Sequence, residues 1–292
     1  MTIEQEYKEF KKKLETIYDD RESENITELI FEHVTGKKRW ERRINGTNEL
    51  DSNISFQLQK HLHELLTFKP AQYILNEAWY YKRKYYVNEN VLIPRPETEE
   101  LVEWLVSDLR NLRNNISTSN LKILDIGTGS GCIAISIKKE LKYSDVFAID
   151  VSEHALVVAR KNAGNLQAKI KFLIMDFLDE NSWDSLDVFD IIVSNPPYIP
   201  ESEKEKMKKN VTDFEPAKAL FVKNHDLFIF YKKIAKFAQS FLNTSGNIYV
   251  EINETFSKEV QEIFTLFNLD SVIKKDIYGK ERMIRATKKE NP

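Results

Sequence analysis

Ile123-Leu124-Asp125-Ile126-Gly127-Thr128-Gly129-Ser130-Gly131 is the stretch on which the fold turns. Residues of strand character run straight into three glycines at alternate positions, and a helical pattern follows from about 130 to 141. A strand that ends in such a turn and opens a helix begins a βαβ unit. The glycines let the chain reverse sharply and let its backbone come close to a ligand. Glycine turns also serve structure alone, so the loop has to be weighed with what lies around it.

Downstream, strands and helices alternate. Strand candidates are Leu121–Ile126, Val146–Asp150, Ile170–Met175, Phe189–Ser194 and Asn247–Ile252, with helices at about 130–141, 152–165, 225–243 and 255–267. This order predicts a parallel, doubly wound, Rossmann-like sheet with right-handed crossovers. Two last strands, Ser271–Ile277 and Arg282–Ala286, are joined through Tyr278-Gly279-Lys280. They make seven strands in all and give one edge an antiparallel hairpin.

Upstream, residues 1–76 read as a separate helical bundle. Apolar residues recur at helical spacing: Phe10, Leu14, Ile17, then Ile26, Leu29, Ile30, Val34, then Leu58, Leu62, Leu65, Leu66. Residues 77–95 read as a linking β-hairpin, rich in Trp79, Tyr80, Tyr85 and Val87, with Asn88-Glu89-Asn90 as its turn. Pro94-Arg95-Pro96 then stops both helix and ladder, and residues 96–292 form the α/β domain.

The chain has 292 residues, 41% of them hydrophobic, enough for a sizeable core. Its formal net charge of -3 carries no broad basic field, which argues against direct nucleic-acid binding. The single cysteine, Cys132, excludes an internal disulfide. No apolar run reaches the roughly 20 residues that cross a bilayer, and the charged start lacks a secretory core. A soluble cytoplasmic protein is the expectation. The five histidines have no partners at metal-ligand spacing, so no metal is expected.

Three strand ends carry the candidate cofactor site. Gly127, Thr128, Gly129, Ser130 and Gly131 form the loop after the first strand. Asp150 ends the second strand, where a carboxylate can accept bonds from both hydroxyls of a ribose. Asp176-Phe177 ends the third, where a polar group and an aromatic ring suit an adenine. These features fit either a dinucleotide or S-adenosylmethionine. The fourth strand separates the two, because it runs into Asn195-Pro196-Pro197-Tyr198. Residues before prolines are held extended, so the loop is stiff. The Asn195 side-chain oxygen and the Pro196 carbonyl can accept both hydrogens of a planar amide or amine, and Tyr198 can pack on its face. Such a site would aim a nitrogen at a sulfonium methyl. An aspartate at 195 would keep an acceptor oxygen, so some activity is expected of it.

The chain resembles the HemK-type protein-glutamine methyltransferases. The resemblance is carried by Pro70-Ala71-Gln72-Tyr73-Ile74, Leu92-Ile93-Pro94-Arg95-Pro96-Glu97-Thr98-Glu99, the glycine loop and Asn195 to Tyr198. It continues through Glu215-Pro216, Ala219-Leu220, Glu251-Ile252, Lys275-Asp276, Gly279-Lys280 and Arg282. It implies a class I S-adenosylmethionine-dependent methyltransferase fold and cofactor contacts at Gly127 to Gly131, Asp150, Phe177 and Asn195. It also implies substrate contacts at Asn195 to Tyr198. The implied substrate is the glutamine of the Gly-Gly-Gln loop in class I peptide chain release factors, with the helical domain 1–76 helping to hold the factor. Asn76, the Asn224-His225-Asp226 segment and Asn253 stand where the family pattern has glycines, which leaves local turn geometry open. An adenine methyltransferase acting on nucleic acid, a dinucleotide-linked oxidoreductase and a non-catalytic binding module are the rival readings.

Overall fold

The computed structural model of the chain describes residues 1–113 and 121–289. It divides into two compact units, one of Met1–Glu77 with Lys208–Phe214, the other of Ala78–Met207 with the chain from Glu215 onward.

The first unit is helical. Its helices are α1 (Ile3–Leu14), α2 (Asp20–Thr35), α3 (Arg39–Ile44), α4 (Ser52–Leu66) and α5 (Ala71–Leu75). Local chemistry sets their ends. Thr2 and Gln5 form a capping box on α1, Asp19 caps α2, and Asp51 caps α4. Phe10, Leu14, Ile30, Phe31, Leu58, Leu62 and Leu65 meet in one core. Leu66, also predicted apolar-facing, is exposed instead, one position off the buried stripe. The segment Lys208–Phe214 belongs to the same unit, where Lys208 Nζ donates to Glu22 at 2.8 Å.

The second unit is built on seven strands: β1 (Lys122–Ile126), β2 (Asp145–Asp150), β3 (Lys171–Ile174), β4 (Phe189–Ser194), β5 (Leu242–Glu251), β6 (Leu269–Lys275) and β7 (Glu281–Lys288). Their order across the sheet is β6-β7-β5-β4-β1-β2-β3. The five strands from β5 to β3 are parallel, and β7 runs antiparallel between β5 and β6. The expected mostly parallel sheet with an antiparallel edge is therefore present. Successive side chains alternate between two cores. Leu124, Ile126, Ile149, Ile192, Ile248 and Val250 pack under α9 (Ile229–Phe241) and α10 (Ser257–Leu266). Ile123, Val146, Ala148, Ile191, Val193 and Tyr249 pack under α6 (Pro96–Arg113) and α7 (Cys132–Glu140). Helix α8 (Glu153–Asn165) follows β2.

The hairpin in 77–95 differs from the sequence expectation. Its strands are Ala78–Tyr80 and Arg83–Tyr85, and Tyr81 and Lys82 make the turn with φ of 46° and 62°. Positive φ at both central residues is what a tight hairpin requires. Asn88 to Asn90 form a separate turn, in which Val91 N donates to the Asn88 carbonyl. Tyr80 and Tyr85 are fully buried in the second unit's core, so the hairpin is part of that unit.

The replaced glycines also find their explanation. Asn76 ends α5 in the left-handed region, at φ 52° and ψ 39°. Asparagine tolerates that region better than other side chains, so the turn survives the loss of glycine. Asn253 needs no positive φ at all; it sits extended at φ -72°, and its side chain caps Thr255 N. Asn224 Oδ1 accepts from Ser202 N, tying its own loop down. From this geometry, Asn76→Ala lowers the unfolding free energy by about 1–2 kcal/mol, whereas Asn76→Gly, which has no Cβ to strain, leaves it unchanged or raises it. Urea denaturation followed by circular dichroism measures both; an Ala variant as stable as the parent would contradict the left-handed assignment.

Candidate active site

The glycine loop wraps from the end of β1 to the start of α7. Gly127 N and Thr128 N both donate to the Ile149 carbonyl, at 2.9 and 3.0 Å, so the loop hangs from the end of β2. Gly127 and Gly129 have φ of 74° and 54°, and a Cβ on either would meet no atom within 4 Å. The open side leaves room for a ligand against bare backbone. Gly131 serves packing instead: a Cβ there would lie 3.2 Å from the Ala159 Cβ on α8.

Two carboxylates brace the loop. Asp150 at the end of β2 accepts from Gly129 N at 2.8 Å through one oxygen and from Ser152 N at 2.9 Å through the other. Each oxygen keeps a further lone pair, enough for two ribose hydroxyls. Burial raises its pKa, against the pull of those backbone donors. Beneath the loop lies Asp125, fully buried, whose Oδ2 accepts from the Thr128 hydroxyl at 2.6 Å and from Ala134 N at 3.2 Å. Its Oδ1 is buried with no hydrogen-bond partner. Burial pushes the Asp125 carboxyl up to about 7. An open glycine cradle, a carboxylate with lone pairs to spare and an unpaired buried carboxyl oxygen suit S-adenosylmethionine, which carries an adenosine and a net positive charge. Cys132 is buried behind the loop.

Asn162, on α8, clamps the loop from behind. Its Nδ2 donates to the carbonyls of Ser130 and Tyr86, both at 2.9 Å, and its Oδ1 accepts from Tyr86 N at 2.7 Å. This residue, Asp125 and Ser194 escaped the sequence reading. The available signal was a polar side chain inside an otherwise apolar strand or helix face, which is costly to bury unless it is bonded.

At the end of β3 the two expected residues part company. Asp176 is exposed, its Oδ1 accepting from Leu178 N at 3.0 Å. Phe177 turns inward, stacks on Trp183 at 5.4 Å between centroids and meets Phe237 edge-on. Its ring is committed to the core and offers no open face to an adenine. Val151, next to Asp150 and 49% exposed, is an apolar side chain that stands free at this edge, as is Ile174 at the end of β3.

The loop Asn195 to Tyr198 leaves the sheet beside the glycine loop. Ser194 pairs with Ile126 in the β4–β1 register, and its hydroxyl donates to the Ile126 carbonyl at 2.8 Å. Asn195 Nδ2 donates to Thr98 Oγ1 at 3.0 Å. Thr98 donates its own hydroxyl to Glu251 Oε2 at 2.6 Å, and Tyr198 donates to Glu251 Oε1 at 3.0 Å. The Tyr80 hydroxyl donates to the Thr98 carbonyl and that of Tyr231 to the Glu251 carbonyl, both at 3.0 Å. Burial raises the pKa of Glu251, opposed by its two hydroxyl donors and by Arg282. Burial and then Glu251 hold the Tyr198 phenol far above its ordinary pKa, so it stays protonated and cannot serve as a base. Pro196 is buried, and Pro197 is half-buried. Near the same motif, Glu215 accepts from Arg95 at 2.6 Å and from Ile93 N at 3.2 Å, joining the Pro-Arg-Pro segment to Glu215-Pro216.

Two outcomes follow for the carboxylates. Asp125 has a folded pKa of about 7 against 3.8 unfolded, so the folded state binds the extra proton between those values. Its contribution to stability is present below pH ~4 and lost as pH rises through ~7. Asp125→Asn therefore raises the melting temperature of the ligand-free protein at pH ~8 relative to the parent, and less so at pH ~4. Equal differences at both pH values would contradict the buried, unpaired carboxylate. Asp150→Ala, with its ribose acceptors gone, weakens S-adenosylmethionine binding by roughly tenfold or more in calorimetry. Unchanged affinity in a folded variant would remove Asp150 from the cofactor site.

Comparison with known proteins identifies the family. Residues 104–256 match the family model "Methyltransferase small domain", and residues 6–75 match "PrmC N-terminal domain". The release factor glutamine methyltransferase of Flavobacterium psychrophilum is 44% identical over 287 residues, 98% of this chain and 99% of that protein. The protein of the same name from Bacteroides thetaiotaomicron is 41% identical over 237 residues, 81% of this chain and 80% of its own. That from Lactococcus lactis is 44% identical over 230 residues, 78% of this chain and 80% of its own. No helix among the described residues is long and apolar enough to cross a membrane. The near-full-length match and the two family models together establish that this chain belongs to the release factor glutamine methyltransferase family and uses S-adenosylmethionine as methyl donor.

Proposed function

We propose that this enzyme methylates the side-chain amide nitrogen of the glutamine in the Gly-Gly-Gln loop of class I peptide chain release factors, in the cytoplasm, during translation termination. One observation carries the reading from the structure: Asn195 emerges from β4 directly beside the glycine loop, with Ser194 bonded to the last residue of β1. A nitrogen held at Asn195 lies next to whatever occupies the loop. The relatives named above supply the substrate class.

In this reading Gly127, Thr128, Gly129, Ser130, Gly131 and Asp150 hold the cofactor, with Asp176, Val151 and the backbone of Phe177 near its adenine. Asn195, Pro196, Pro197 and Tyr198 hold the glutamine. The cofactor supplies an electrophilic methyl group on a sulfonium. The chain's own part is orientation. The Asn195 side-chain oxygen and the Pro196 carbonyl accept the two amide hydrogens, and the Tyr198 ring covers the planar group. Such positioning contributes on the order of 7–11 kcal/mol to a reaction between two bound groups. No side chain here has to remove a proton beforehand, and Tyr198, protonated, is unable to. The helical domain, residues 1–76, is assigned to recruiting the release factor, and the hairpin within 77–95 is counted with the methyltransferase domain.

Asn195→Ala removes one acceptor while the two prolines keep the loop stiff. Single-turnover methylation of a release factor slows by about 10²-fold or more, and cofactor affinity falls by much less. A near-normal rate in the Ala variant would reduce Asn195 to a turn residue and sink the proposed chemistry.

A further inference from the structure

A side-chain amide can meet a ligand with either end. Asn195 would accept from a glutamine amide through Oδ1, or repel it through Nδ2. What decides between these is the set of hydrogens behind it. The Glu251 side chain is buried, and its Oε2 takes the Thr98 hydroxyl proton at 2.6 Å. Once that proton is committed, the Thr98 oxygen has only lone pairs to offer. It accepts from Asn195 Nδ2 at 3.0 Å. The second carboxylate oxygen is taken by the Tyr198 hydroxyl at 3.0 Å, so neither oxygen is left without a donor. The polarity runs one way along the chain, from Asn195 to Thr98 to Glu251.

We propose that Thr98, oriented by Glu251, is a positioning residue that fixes the amide of Asn195 with its oxygen toward the substrate nitrogen. The inference deepens the function proposed above and rests on it. It makes the site selective for a group that brings hydrogens, such as an amide, over one that brings only lone pairs, such as a carboxylate. Neither Thr98 nor Glu251 touches the reacting atoms. Both act through the 195 and 198 side chains, from 97 and 53 positions away in sequence. The same polarity revises the expectation for an aspartate at 195. Asp has no hydrogen to give Thr98, and two carboxylates would then compete for one hydroxyl. Asn195→Asp is thus at least as slow as Asn195→Ala.

Thr98 is 3% exposed, so Thr98→Val keeps its volume and deletes only the hydroxyl. In steady-state assays with release factor and S-adenosylmethionine, Thr98→Val lowers kcat by about tenfold, the effect of one lost bond to a buried polar group. The KM for release factor and the cofactor affinity by calorimetry change by less than about twofold. Thr98→Ser, which restores the hydroxyl, recovers most of the rate. Thr98→Ala, which deletes the hydroxyl without adding a methyl group, gives the same loss as Val and keeps the test open should Val fold poorly. A Val or Ala variant with parental kcat overturns the proposal, as does a Ser variant as slow as Val. A wild-type enzyme that leaves release factor unmodified overturns the proposed function itself, a result these variants do not mimic.

Discussion

Burial of the Glu251 carboxylate constrains the whole catalytic edge. A charge taken out of water is costly unless hydrogen bonds replace the lost solvation. Here the replacements come from separate parts of the chain: Thr98 on the first turn of α6 and Tyr198 on the loop after β4. Tyr231 on α9 bonds to the backbone carbonyl of the same residue. Satisfying one carboxylate thus fixes the end of β5, the start of α6 and the Pro-Pro loop against each other. The Pro96 start of α6 makes this possible, since a proline is well suited to a first helical position and places Thr98 within the first turn. The site is stiff before any ligand arrives.

The cofactor half obeys the same logic with backbone donors in place of hydroxyls. Asp150 is partly compensated by a main-chain N–H of the loop it braces, and Asp125 by one in the first turn of α7. Neither is saturated. Asp150 retains lone pairs, and Asp125 retains an entire unpaired oxygen. Glu251, by contrast, has a hydroxyl donor on each oxygen, and this difference suits the proposed division between residues that hold the cofactor and residues that orient the substrate.

The sheet was legible because its strands are apolar runs between helical patterns, and because β1 runs into Gly127, β2 ends in Asp150 and β4 runs into Asn195. Those residues are turn or polar types that no buried strand would continue through. The hairpin turn was misplaced because Tyr81-Lys82 lacks the glycine or asparagine that marks such turns, whereas Asn88 to Asn90 carries that mark and makes an ordinary one. Phe177 misled for a related reason: an aromatic at a strand end reads the same whether it faces a ligand or, as here, stacks on Trp183. The bonds behind the site were out of reach of any local pattern. Asn195 meets Thr98, Tyr86 meets Asn162 and Ser194 meets Ile126 across long stretches of chain. Thr98 and Glu251 stood inside recognisable motifs, yet nothing in either motif says that they touch.

The central claim is that the acceptor is an amide nitrogen on a protein side chain. Tandem mass spectrometry of a class I release factor, incubated with this enzyme and S-adenosylmethionine, reads it directly. The account predicts one added methyl group, confined to the glutamine of the Gly-Gly-Gln tripeptide and carried on its side-chain nitrogen. A methyl group on any other residue, or an unmodified factor beside methylated nucleic acid in the same mixture, would contradict it.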